Sequence, residues 1–464
     1  MSLQRKLNSR QLSMIAIGGS IGTGLFLASG AAIHSAGLWG ALLGYLIIGI
    51  MVYFLMVSLA EMSAYKPVAG SFCQHATDYV SPSFGFAMSV NYWFNWAITL
   101  AAEVSAGTII LEYWFPHIST GLVGLIMLVL IMGLNLFSVR GFGETEYWLA
   151  LIKVAMIIIF IAIGFSMLLG LFHSHAAQPI FSDAHHLNLF GTHGWLLVFN
   201  VMLVAGFSFQ GCELIGVAAG ESQNPAHDIP KAARLIFWRI LLFYVLTIFV
   251  IGALIPASNP HLVGASENEV AFSPFTMVMN MAHIPAAAGI INFVILSAVI
   301  SAANSGTYAS SRTLYQLGKT TGGIFSIFAK TSKNGVPIYA LLLTLLVGSC
   351  AFLASRWGNT FLYTILIAAS ALSGFIAWIG IAVTHLFFRR EFKREGRALS
   401  ELPYRSPLFP YGIIFALVLC LTVLFGQDTA LFTHHNIEWS QLTLTYSSLI
   451  LFVVVWVGYF IVKR

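Results

Sequence analysis

Long apolar stretches alternate with short polar ones along the whole chain. The apolar runs recur roughly every 30 to 40 residues, and each approaches the 20 or so residues that a helix needs to cross about 30 Å of hydrocarbon. They predict helices over 12–36, 39–64, 84–112, 119–139, 146–172, 194–220, 233–256, 275–316, 336–355, 359–387, 406–426 and 440–462. A β-barrel would instead show segments of about ten residues alternating in polarity. The longest polar stretch, Arg389 to Arg405, is too short for a domain and reads as a connector. The expectation is an all-α integral membrane protein with 12 transmembrane helices, folded as one unit over 1–464.

Composition agrees with that pattern. Of the 464 residues, 58% are hydrophobic and 8% are charged, where a soluble domain carries roughly a quarter of its residues as charges. Mean hydropathy is +0.86. These values exclude a soluble enzyme, a nucleic-acid binder and a disordered scaffold, and make the lipid bilayer a partner. The net charge of +5 reads as topology, because cytoplasmic loops hold excess Lys and Arg. With an even number of helices both termini share a side. Of the 22 lysines and arginines, all but Arg356 and Lys153 then fall on that side, which makes the termini cytoplasmic. The basic start at Arg5, Lys6 and Arg10 imitates a signal peptide. Apolar segments continue to the end of the chain, so it reads as a retained first helix. Cys73, Cys212, Cys350 and Cys420 show no CxxC spacing and predict neither a disulfide framework nor a zinc site. The histidine pairs His173/His175, His185/His186 and His434/His435 read as solvated residues of outer loops, so no metal and no cofactor is expected.

Two interruptions carry the functional reading. Gly18-Gly19-Ser20-Ile21-Gly22-Thr23-Gly24 lies in the middle of the first span. Each glycine costs about 1 kcal/mol against alanine within a helix, so four of them in this stretch predict a break. Broken backbone at membrane depth leaves N–H and C=O groups that hydrocarbon cannot satisfy and a binding cavity can. The competing reading is close helix packing through small residues, which would keep the helix continuous. No strand precedes the glycines and no βαβ unit follows, so a dinucleotide fingerprint is excluded. The second interruption, Phe207-Ser208-Phe209-Gln210-Gly211-Cys212-Glu213, lies inside the sixth span. Spans one and six open two five-helix halves, 12–172 and 194–387, with helices 11 and 12 (406–462) apart. Matching interruptions in two halves are the expected mark of a 5+5 inverted-repeat transporter.

Several motifs carry a resemblance. Gly18 to Gly24, the stretch from Gly30 through Glu61 to Pro67, and Pro67-Val68-Ala69-Gly70-Ser71-Phe72 resemble the signature of the amino acid–polyamine–organocation superfamily. Within it the chain resembles the bacterial amino acid permeases over nearly its whole length. It is similar to their lysine carriers in Asn91-Tyr92-Trp93-Phe94-Asn95-Trp96, in Ser138-Val139-Arg140-Gly141-Phe142-Gly143-Glu144, in Gly206 to Glu221, and in Asn304-Ser305-Gly306-Thr307-Tyr308-Ala309-Ser310. The resemblance implies a multi-pass permease of the inner (plasma) membrane that imports an L-amino acid with protons, lysine first among the candidates, with an aromatic amino acid, histidine, arginine or a small neutral amino acid as the alternatives.

Three ionisable residues fall well inside the spans: Glu103, Lys153 and Glu213. An uncompensated charge there costs at least about 2.5–3.5 kcal/mol, so each needs a partner or a role. Glu103 and Glu213 could each bind a cationic group or carry the transported proton, and a structural ion pair is the alternative. The resemblance implies that the Lys153 ammonium replaces the cation of sodium-coupled relatives, with contacts near Gly18 and the polar stretch Ser301 to Ser305; snorkelling to an interface is the alternative. The amides around Ile21, Gly22, Thr23 and Gly24, flanked by Ser20, suit a substrate carboxylate. Carbonyls at Ile17, Gly18, Phe207 and Ser208 suit the α-ammonium. Phe209 resembles the family's aromatic gate, and Tyr92, Trp96, Gln210 and Ser301 are candidates for the cavity wall. With two carboxylates ionised and Lys153 protonated, the buried site carries one negative charge, which a lysine side chain would cancel.

Two other classes fit less well. An intramembrane enzyme needs a nucleophile with its base, or a metal set, at one depth, and the buried polar residues offer none. The third class is a channel or a membrane amino acid sensor without net transport; a channel would show pore-lining rings from symmetric subunits, whereas two interruptions in one chain favour an occluded central site.

Overall fold

Helix α1 (Ser9–Ser20) opens on a reciprocal cap. The Gln11 amide donates to Asn8 Oδ1 at 2.9 Å, and the Asn8 amide donates to Gln11 Oε1 at 3.2 Å. The helix stops at Ser20. Ile21 and Gly22 are extended, and the single turn α2 (Thr23–Phe26) follows before α3 (Ala28–Tyr65). At 38 residues a straight α3 would measure about 57 Å, nearly twice the hydrocarbon thickness. Gly37, at φ 66 and ψ −177, bends it at the boundary expected between the first two spans.

The computed structural model describes residues 5–136, 139–171, 194–262, 273–284, 286–353, 359–427 and 445–463. Beyond α3 the chain continues through α4 (Ser71–Tyr79), α5 (Pro82–Glu112), α6 (Thr120–Leu136), α7 (Val139–Leu168), α8 (Gly194–Phe209), α9 (Leu214–Ala218) and α10 (Pro225–Leu254). Then come α11 (Pro274–Met281), α12 (Ala287–Thr321), α13 (Ile338–Gly348), α14 (Asn359–Arg394), α15 (Tyr411–Phe425) and α16 (Ser447–Val462). Among the described residues, six helices are long and apolar enough to cross a membrane. The fold is all-helical, and its pairing of strand type among these residues is a lone bridge between Leu7 and Ser222.

Four differences from the expected spans matter for the site. The stretch 275–316 is not one helix. α11 ends at Met281, and His283 and Ala286 take the left-handed conformation before α12 begins. A single helix of that length would have overrun the bilayer twofold. α7 begins at Val139, a full two turns before the expected start at 146, which draws Glu146 inside the packed helix. α14 runs past 387 to Arg394 and carries Arg389, expected in a polar connector, into the interior. α4, between the second and third spans, was not expected; Gly70 and the left-handed Ser71 initiate it. The histidines His173, His175, His185, His186, His434 and His435 lie outside the described residues.

At the centre, α5 packs on α12 and α14, while α3 packs on α8 and α10. The two interrupted helices cross at their interruptions, α1 meeting α9 and α2 meeting α8. That crossing sits against α5, α7 and α12, and it positions everything that follows.

Candidate functional site: a charged cavity where two interrupted helices cross

The second interruption is a tight turn. α8 ends at Phe209, Gly211 takes φ +99, and α9 restarts at Leu214. A left-handed φ disfavours any residue with a Cβ, and here the Gly211 Cα also lies against the Gly19 carbonyl of the first interruption. One turn away, a Cβ on Gly24 would come within 2.5 Å of the Ser208 Cα. The two breaks touch backbone to backbone because glycine occupies the facing positions. Tyr244 of α10 bridges them: its hydroxyl lies 2.7 Å from the Ser20 carbonyl and 2.6 Å from the Ser208 carbonyl. Phe209 stacks on that ring, with centroids 4.7 Å apart.

A cavity of about 320 Å³, counted with the solvent at its mouth, opens beside the crossing. Gly19, Ser20, Gly22, Thr23 and Gly24 line it from the first break, and Phe207, Ser208 and Gln210 from the second. Trp96, Thr99 and Glu103 of α5 and Ala302 of α12 complete the wall. Glu103 is buried, and the Thr23 hydroxyl donates to its Oε1 at 3.1 Å. Its Oε2 has no hydrogen-bond partner. Gln210 turns its amide to the Ser370 and Ala371 carbonyls of α14 at 3.3 and 3.2 Å, and Thr99 meets the Ser370 hydroxyl at 2.7 Å.

Lys153 is fully buried and lies behind the first break rather than at an interface. Its ammonium donates to the Gly18 carbonyl and, at 2.9 Å, to the Ile21 carbonyl. Gly18 lies in the last turn of α1 and Ile21 is its C-cap, so their carbonyls lose their helical N–H donors where the chain unwinds. The snorkelling alternative therefore fails. The polar stretch of α12 meets a different partner: Ser301 donates to Glu146 Oε2 at 2.7 Å and Asn304 Nδ2 to Glu146 Oε1 at 2.5 Å. Asn135 of α6 in turn donates to Asn304 Oδ1 at 2.8 Å.

Glu213 stands outside the cavity wall. Its carboxylate accepts from the Gly211 amide at 3.1 Å, from Tyr92 at 3.3 Å and from the Trp378 indole at 3.3 Å. Ile17, Gly18, Ile21, Tyr92, Phe209 and Ser301 are likewise behind the wall, whereas Ser20, Gly22, Thr23, Gly24, Trp96, Glu103, Phe207, Ser208 and Gln210 are on it. The carbonyls expected for an α-ammonium already have donors: Ile17 from the Ile21 amide, Gly18 from Lys153, Phe207 from the Gln210 amide and Ser208 from Tyr244. Ile17 also accepts from the Ser20 hydroxyl at 3.0 Å, whereas Gly18, Phe207 and Ser208 keep a second lone pair.

The count of three buried ionisable residues needs correction. Glu61, His75, Glu146, Glu221, Asp228, Arg312, His385 and Arg389 are buried as well. Glu61 is held by Arg389 at 2.5 Å, by the Ser406 amide at 2.6 Å and beside His385 at 3.3 Å, and Glu221 pairs with Arg312 at 3.4 Å. Glu146 was missed because it coincides with the expected first residue of a span. Its spacing of seven from Lys153, which puts both on one helix face, was the available signal. Counting Glu103, Glu146 and Glu213 against Lys153 leaves two negative charges, so one lysine side chain no longer closes the balance.

Two interrupted helices crossing at a buried polar cavity, in a chain with several membrane-length helices, define a multi-pass helical membrane protein with a central polar cavity. The chain belongs to the amino acid permease family of the amino acid–polyamine–organocation superfamily, whose profile matches residues 11–464. It is 49% identical over 463 residues to the lysine-specific permease of Lactococcus lactis, covering 98% of this chain and 90% of that one. It is 47% identical over 462 residues to the lysine-specific permease of Escherichia coli, covering 99% and 94%. It is 45% identical over 460 residues to the histidine permease of Lactococcus lactis, covering 98% and 94%. Family and apolar helices together make it a multi-pass protein of the plasma membrane.

Proposed function

We propose that the chain is a proton-coupled secondary transporter that imports an L-amino acid, lysine above others, by alternating access. In this reading it has 12 transmembrane helices and cytoplasmic termini, with two inverted five-helix repeats over 12–172 and 194–387 and a final pair over 406–462. The carrying observation is Glu103. A buried carboxylate with one free oxygen lines the cavity between the interruptions, and an acceptor so placed suits an ammonium group. The names of two relatives add lysine to that argument.

The roles follow from position. The amides of Gly22 to Gly24, which a one-turn helix cannot satisfy internally, take the substrate carboxylate. The Phe207 and Ser208 carbonyls receive the α-ammonium, and Glu103 Oε2 receives the side-chain ammonium. Lys153 acts as the coupling cation at the end of α1. Glu213, saturated by three donors, holds the second break in shape. The test is competition for labelled lysine uptake by lysine, arginine, histidine, phenylalanine and alanine, with counterflow in proteoliposomes. Lysine should compete best. Arginine should follow, because its planar head fits a site shaped for an ammonium less well. Best competition by phenylalanine or alanine defeats the lysine assignment, and an absence of counterflow defeats the carrier.

A further inference from the structure

We infer that Glu146 is a positioning residue for the coupling ammonium: its carboxylate is the countercharge to Lys153 at the first break and links that charge to α12. The inference rests on the coupling role proposed for Lys153. Glu146 and Lys153 stand seven residues apart on α7, so their side chains rise from one face, and helical side chains lean toward the N-terminus, which directs Lys153 back toward Glu146. Both converge on Gly18. Lys153 donates to its carbonyl, while a Cβ added to its Cα would lie 3.2 Å from Glu146 Oε2. The carboxylate is fully buried, and its two hydrogen-bond donors, Ser301 and Asn304, are neutral. The Ser305 hydroxyl is buried in the same cluster. The charged groups that act on Lys153 are Glu146 and Glu103, and neither forms a direct ion pair with it. From α1 the ammonium meets the carbonyls of Gly18 and Ile21, while Ser301 and Asn304 of α12 reach it through Glu146. An unpaired carboxylate in such a place would be costly, and so would an unpaired ammonium. Because Ser301 and Asn304 belong to α12, any movement of α12 against α7 changes the field at Lys153.

The test is the pH profile of lysine uptake in Glu146→Gln, Glu146→Asp and Lys153→Ala. Glutamine keeps the size and can still accept from Ser301, but it lacks the charge. Without the anion the buried ammonium loses a countercharge, so the alkaline limb should move about one pH unit toward acid, with uptake at acid pH within about twofold of the parent. Glu146→Asp keeps the charge and should leave the limb in place at a lower rate. A uniform loss of rate in Glu146→Gln with an unmoved limb overturns the assignment and makes the residue a pin between helices. The same shift in Glu146→Asp as in Glu146→Gln also overturns it. Uphill uptake that survives in Lys153→Ala removes the coupling role itself, which is a separate failure.

Discussion

Gly19 and Gly211, almost two hundred positions apart, pack backbone to backbone where the two interrupted helices cross. Gly211 takes φ +99 to do so, and the Gly19 carbonyl occupies the space its Cβ would need. Each break is therefore held by the other, and the cavity exists because both helices unwind at one place.

Glycines at the crossing should separate into two groups. Gly211→Ala and Gly24→Ala place a Cβ against rigid backbone and should lower thermal stability by at least about 2–3 kcal/mol, with poor recovery of folded protein. Gly22→Ala places its Cβ 3.3 Å from both the Ala302 Cβ and Glu103 Oε1, contacts a side chain can relieve. It should fold and bind lysine about tenfold more weakly, or 1.4 kcal/mol. Size-exclusion recovery and thermal shift with lysine check both.

Glu103→Gln should discriminate among substrates. Its Oε2 is a free acceptor, and replacing it by an amide nitrogen removes the charge while preserving shape. Lysine affinity should fall by about 1.5–3 kcal/mol, the range for a hydrogen bond to a charged group, while inhibition by alanine is unchanged or stronger. Equal weakening for both would assign Glu103 to the α-ammonium or to the fold.

Lys153→Ala should uncouple transport rather than abolish binding. Its ammonium contacts the Gly18 and Ile21 carbonyls, which are behind the cavity wall. Proton-driven accumulation should drop toward equilibrium, while counterflow of labelled lysine persists at a measurable rate. Unchanged uphill uptake would reduce the residue to a structural lysine.

Arg389→Ala should destabilise the protein strongly without touching the cavity. It leaves Glu61 buried beside His385 with its main countercharge gone, a change that costs about 3–5 kcal/mol for buried pairs. Arg389→Lys should recover part of that loss, since an ammonium cannot reproduce the two-pronged contact through Nε and Nη2. Thermal unfolding of the pair, with Glu61→Gln/Arg389→Met as the neutral replacement, separates burial of charge from loss of shape.

His75 on α4, outside the spans, gives the pH signature of folding. Burial holds its ring down to about 4, against an ordinary 6.5, and its Nε2 lies 2.9 Å from the Lys66 carbonyl. An unfolded chain binds that proton more readily, so stability is full above 6.5 and is lost as pH falls toward 4. His75→Gln should flatten that part of the stability profile. An identical slope in the variant would assign the acid loss to other groups.

The sequence by itself determined the solvent and the places where helices fail. Run length and scarcity of charge specify a bilayer, because each crossing must supply its own apolar surface. Gly18 to Gly24 and the Gly211 segment mark breaks, because the cost of glycine in a helix is local and needs no partner. The tertiary structure alone decided which charges face the cavity. Glu103 and Glu213 both read as buried carboxylates, yet one lines the wall with a free oxygen and the other is saturated by Gly211, Tyr92 and Trp378. Glu146 reads from the sequence as the first residue of a span, whereas in the fold α7 starts at Val139 and α12 supplies Ser301 and Asn304 to its carboxylate. A hydropathy window reports how apolar a segment is along the chain. The environment of a carboxylate depends on donors brought from helices more than a hundred residues away, and only folding sets those distances.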